Sequence, residues 1–279
     1  MPTGCAIYGY EFTREFIYRG MRFVPRHESA SESRSGARDL TRYNLTGVVL
    51  LDAYDDHQMF CLEAVLSFIE HLDVLISDPT ELPVGDYFSG FPAVARTAKR
   101  HNGGGEVLHR DAFFPSVRPD FIRLAMDQLA DRSFCEATGW DTLFFKTTAP
   151  FRQRSPYLEV SYFLLFSGLE TYVRRTLGDE KSKDVAGLIA RRLQQLGFNI
   201  YSYKQSDLAR SADSYARLRN ALFHNSSLYA TRKCDDGSET KYSLLDYYPH
   251  FLILVSLVVL KGIDFKHPSI QWDSWINMQ

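Results

Sequence analysis

The segment SYARLRNALFHNSS (residues 214–227) places Arg219, Asn220 and His224 within six positions. Histidine is the side chain that exchanges a proton nearest neutral pH. Arginine neutralises charge developing on a phosphate. Cleavage of RNA by its own 2′-hydroxyl needs a base for that hydroxyl, an acid for the 5′ leaving oxygen and a cation for the phosphorane-like transition state. His224 and Arg219 supply these without a metal. Asn220, one helical turn from His224, is placed to orient the histidine or a phosphate oxygen.

On a helical wheel Asp213, Arg217, Asn220 and His224 recur at spacings of four, three and four, so they form one polar stripe. Arg219 falls off that stripe, beside Tyr215, Leu222 and Phe223. An arginine on an apolar flank either snorkels to solvent or serves at an interface. His224 stands in the last turn before Asn225-Ser226-Ser227, where the terminal carbonyls suit a cation.

The elements that must position these residues read most clearly after residue 150. Helices are predicted over 155–179, 181–198, 206–225 and 243–262, the first two ending at glycines and the third opening on a Ser/Asp cap. An Asp-Gly turn within 228–243 predicts a β-hairpin between the third and fourth. Four helices with short connections predict an antiparallel bundle. Before residue 150 the pattern is mixed: two short strands within 5–24, a strand over 43–54 with GVVLL suited to burial, a long helix from Asp55 or Asp56 stopped by Pro79, and a helix over 119–137. Residues 27–39 read as a Ser-rich loop and 101–107 as a glycine turn without the features of a phosphate loop. The expected fold is α+β, with an acidic α+β N-terminal domain (1–150) preceding a helical domain (151–279).

Formal net charge is −2, but it is unevenly spread. Residues 151–279 carry 17 Lys+Arg against 13 Asp+Glu, and the first 150 carry 15 against 21. The second half is therefore the half suited to a polyanion. The four cysteines are scattered without zinc spacing and read as reduced thiols; no metal and no cofactor is expected. No signal sequence is apparent, and the longest apolar run, FLILVSLVVL, is too short to span a bilayer. A cytoplasmic protein without a membrane partner is expected.

Other polar groups have plainer explanations. Asp55, Asp56, His57 and Glu63 cluster at a helix start, where acidic residues cap and complement the dipole. His101 and His109 flank the glycine turn. His250 lies in the first turn of the last helix and is kept as an accessory. Lys204, Arg210 and Arg217 are candidate RNA contacts.

Arg219-Asn220-x-x-x-His224 near the end of the third helix of a C-terminal four-helix bundle resembles the signature of the HEPN superfamily. The helix FLLFSGLETYVRR is similar to the first helix of such domains, with Glu170 as its acidic residue. The resemblance covers roughly 150–265. It implies a metal-independent endoribonuclease of a toxin or abortive-infection system, in which His224 is general acid/base, Arg219 stabilises phosphate charge and Asn220 orients. It also implies a homodimer with a composite active site, defence against phage, and control by an antitoxin or by the N-terminal domain as sensor. Some members of the family instead bind a nucleotide or a protein without cleaving RNA.

Overall fold

The computed structural model describes residues 2–29, 32, 42–83, 85–94, 107–108, 114, 116–153, 155–233 and 237–276. Most of the Ser-rich segment, the glycine run, His101, His109 and Cys234 lie outside the described residues.

The fold is mixed α+β, with antiparallel sheets and, among the described residues, eight α-helices. The first sheet contains β1 (Thr3–Tyr8), β2 (Phe16–Tyr18), β3 (Met21–Pro25), β4 (Leu45–Leu51), β5 (Leu75–Ile76) and β6 (Thr80–Glu81). Its order is β2-β3-β4-β1-β5, with β6 also on β1. Central β4 is buried at every position. Val49 and Leu51 face the main core, while Val48 and Leu50 face a smaller cluster with Leu82 on the other side. Two covered faces explain the continuous apolar run GVVLL in an antiparallel strand, where alternation is the usual pattern. Gly47 is required there because a Cβ would stand 2.4 Å from the Phe12 ring.

Helix α1 (Asp56–Glu70) starts as expected, with the Asp55 carboxylate accepting from Gln58 N at 2.6 Å. It ends at His71, whose φ is 49°, well before Pro79. Leu75 and Ile76 are instead taken by β1 as a short strand, a long-range pairing that local periodicity does not encode. The predicted helix over 119–137 is two helices, α2 (Val117–Ala130) and α3 (Arg132–Thr138). Asp131 is extended between them and caps α3 through Phe134 N at 3.0 Å. Helix α4 (Trp140–Thr148) and the 3₁₀ turn Ala149–Arg152 were not foreseen.

The remaining helices are α5 (Leu158–Leu177), α6 (Val185–Gln195), α7 (Ala212–Asn225) and α8 (Leu244–Gly262). Helix α7 is shorter than predicted: Leu208–Arg210 form a 3₁₀ turn held by the Asp207 side chain. The hairpin between α7 and α8 is present as β7 (Tyr229–Lys233) and β8 (Glu239–Ser243). Helix α5 packs against five others, α3 and α4 from before residue 150 and α6, α7 and α8 after it. By length and composition α8 could cross a membrane, contrary to the ten-residue measure of its apolar run, but 67% of that stretch is buried within the protein.

One apolar core runs across residue 150, from Cys5 and Phe23 through Phe68, Phe121 and Trp140 to Tyr162, Phe251 and Trp275. The Trp140 indole donates to Val259 O at 2.9 Å. Arg152 donates to Asp73 Oδ1 at 3.2 Å and also pairs with Glu63. With Asp55 capping α1 and Glu63 bound to Arg152, the acidic cluster at 55–63 is drawn into separate structural contacts.

Candidate functional site

The motif occupies the second half of α7. The helix closes at Ser226, whose φ of 49° lets its amide donate to Leu222 O at 3.0 Å, while Ser227 N donates to Ala221 O. His224 is therefore in the final turn, and its side chain is exposed.

Arg219 is held from two sides. Its Nη2 donates to Glu170 Oε2 on α5 at 3.1 Å, and its Nη1 donates to Asn220 Oδ1 at 3.0 Å. The guanidinium carbon lies 4.9 Å from the centre of the Phe166 ring, within cation–π range. The second Glu170 oxygen accepts from Arg174 Nε at 2.9 Å. Arg174 in turn donates to the carbonyls of Asp179, Glu180 and Ser182, tying the α5–α6 connection to the same network. Beneath it, Tyr162 donates to Tyr215 O at 2.8 Å. Burial pushes both phenols well above their ordinary range, so they stay neutral.

The wheel placed Arg219 off the polar stripe, and the structure has it there. Arg219 opens into a cleft of about 490 Å³ beside Val160, Phe163, Leu222 and Phe223. Asn220 and His224 open into another, of about 480 Å³, shared with Arg217 and residues 229–231. The Phe163 and Phe223 rings lie parallel with centroids 6.1 Å apart, and they are 44% and 65% exposed. Within one chain, then, Arg219 and His224 work into different grooves. The amide of Asn220 is turned toward Arg219 and accepts from it; the orienting of His224 considered from spacing is not what this bond does.

The other candidates are dispersed. Arg217 lines the His224 cleft and pairs with Asp213 at 2.8 Å. Arg232 from β7 pairs with the same carboxylate and lies over Tyr203. Lys204 and Arg210 sit at the opposite end of α7: Lys204 N donates to Ser211 Oγ at the helix cap, and Arg210 pairs with Asp207. At 1.5 Å per residue that end is roughly 20 Å from His224. His250 Nδ1 donates to Trp275 O at 2.6 Å, and its ring neighbours Tyr247 rather than the motif.

Family models, curated proteins and solved structures give no significant match to this chain. The HEPN likeness therefore stands on the residues of α5 and α7 alone. Sequence reasoning did not single out Arg174, although its i+4 spacing from Glu170 was a usable signal. It also missed the paired rings of Phe163 and Phe223, whose exposure depends on how α5 and α7 meet.

Proposed function

We propose that this chain is a metal-independent endoribonuclease of the HEPN type. It acts in the cytoplasm, in anti-phage defence or a toxin system, on RNA. The observation that carries the reading is the Arg219 guanidinium fixed between Glu170 and Asn220, with His224 exposed one turn further along α7. In this reading α5 to α8 form the antiparallel four-helix unit of the family, and the α+β first half senses or regulates.

His224 removes the proton of a ribose 2′-hydroxyl, the 2′-oxygen attacks phosphorus as the bond from phosphorus to the 5′-oxygen breaks, and that oxygen takes a proton from the imidazolium of the second copy's His224. The products are a 2′,3′-cyclic phosphate and a 5′-hydroxyl. Arg219 balances the extra negative charge of the five-coordinate phosphorus, and a fixed guanidinium does so without reorganising. That Arg219 and His224 line different grooves of one chain supports a site completed by a second copy related by a two-fold axis. The apolar surface beside Arg219, with Phe163 and Phe223 exposed, supports a homodimer. An antitoxin or other regulator would restrain the activity.

The test is cleavage of total RNA in the presence of EDTA, together with growth arrest on expression. Arg219→Ala and His224→Ala are each expected to lower cleavage at least 100-fold. Absence of both cleavage and growth arrest in the unaltered protein defeats the proposal. A non-catalytic module binding a nucleotide or a partner protein is the second reading. What favours it is that both arms of Arg219 are already engaged.

A further inference from the structure

The β7–β8 hairpin borders the His224 cleft and has a face that the fold does not use. Ala230 and Tyr242 are buried, whereas Tyr229, Thr231, Lys233, Glu239 and Lys241 are exposed. The register sets Thr231 opposite Lys241 and Tyr229 opposite Ser243, so Lys241 is diagonal to Tyr229. Its Nζ lies 4.4 Å from the Tyr229 ring centre. Tyr229 is 49% exposed and lines the cleft with Asn220, His224 and Arg217. A half-exposed aromatic ring thus lines the same cleft as the motif histidine.

Asp213 on α7 answers two guanidinium groups, Arg217 and Arg232, so it leaves one positive charge beside the cleft unmatched, and Lys241 stands over the ring. Among the described residues Lys233 and Lys241 form no ion pair, although Glu239 is opposite Lys233 in register. A half-exposed aromatic ring with lysine and arginine side chains beside it is what a nucleobase and its phosphates recognise. A duplex keeps its bases stacked inside and presents no face to such a ring.

We infer that the β7–β8 hairpin is the substrate wall of the site: a base of single-stranded RNA stacks on Tyr229 while Lys241 and Arg217 meet the adjacent phosphates. This rests on the ribonuclease reading above and adds the substrate class and a base-positioning residue.

The test uses the full chain and a fluorescent single-stranded oligonucleotide carrying 2′-O-methyl groups, which can be bound but not cut. Binding is read by anisotropy across a salt series. Tyr229→Ala is expected to weaken binding about tenfold, and Tyr229→Phe to retain it. Lys241→Ala is expected to weaken binding and to flatten the dependence on log salt by about 0.7. A blunt duplex of equal length is expected to respond to neither Tyr229 variant. The inference is overturned by an unaltered protein that does not bind the single strand, by a folded Tyr229→Ala variant of undiminished affinity, or by equal losses for strand and duplex. Cleavage in EDTA with any of those outcomes sinks the hairpin alone. Tyr229-dependent binding with no cleavage of natural RNA sinks the ribonuclease reading alone.

Discussion

Arg118 and Glu70 form an ion pair sealed from solvent, and breaking it should cost more than any other single polar change in the first half of the chain. The side chains are 0% and 3% exposed, with Arg118 Nη1 2.5 Å from Glu70 Oε1. The same Nη1 donates to Glu11 O at 2.9 Å, and Glu11 N donates to Glu70 Oε1 at 3.0 Å. The Tyr10 ring lies 5.8 Å from the guanidinium carbon. The pair thereby fastens the stretch after β1 to both α1 and α2. Arg118→Met keeps much of the volume but strands a buried carboxylate and takes a donor from the Glu11 carbonyl. Removing one partner of such a pair costs about 3–5 kcal/mol, a large part of the 5–15 kcal/mol typical of a folded protein. Glu70→Met should cost a similar amount for the mirrored reason. In the double variant no charge is stranded, so it should lie at least about 2 kcal/mol above the sum of the singles. Urea unfolding followed by tryptophan fluorescence reports this directly, because Trp140 and Trp275 are both in the core. Single losses under about 1 kcal/mol, or strictly additive effects, would refute the reasoning.

Glu170→Gln should leave stability within about 1 kcal/mol, since the Arg219–Glu170 pair is partly solvated. On the ribonuclease reading it should still lower cleavage at least tenfold by unfixing Arg219; an unaltered rate would detach Glu170 from the site. Burial pushes the thiols of Cys5, Cys61 and Cys135 each up to about 11. The native protein should therefore leave these three unlabelled by Ellman's reagent at pH 8, and urea should release them. The same shift sets a pH dependence. Unfolded thiols lose protons near their ordinary value of 9.0 and folded ones only near 11, so the unfolded state binds fewer protons in between. Their contribution is intact below pH 9 and is lost progressively as pH rises toward 11. Urea midpoints at pH 8 and 10, compared with those of a Cys5→Ala variant, measure it.

Local chemistry made part of this legible. GVVLL announced a buried strand, Asp-Gly announced the hairpin, Gly178 ended α5, and the wheel put Arg219 on the apolar flank of α7. What escaped depends on distant partners. Helix α1 stops at His71 because β1 claims Leu75 and Ile76, residues that look equally at home in a helix. Helix α4 was passed over because its threonines and aromatics mix both periodicities, and its helical state is fixed by packing on α5. Asn220 was expected to orient His224 or a phosphate oxygen; its amide oxygen instead accepts from Arg219, which Glu170 draws toward α5, a contact that spacing on α7 alone does not encode. Lys204 and Arg210 looked like companions of the motif by sequence distance, although helix rise alone separates them from it.

The apolar core that crosses residue 150 limits how this protein can be divided. Phe144 stacks on Trp140 and lies 5.6 Å from Phe68, while the Trp140 indole reaches the backbone of α8. A cut there would open a wound through the middle of the hydrophobic interior and leave each fragment with a raw oily face. Neither half could be exchanged for that of another protein without rebuilding its counterpart.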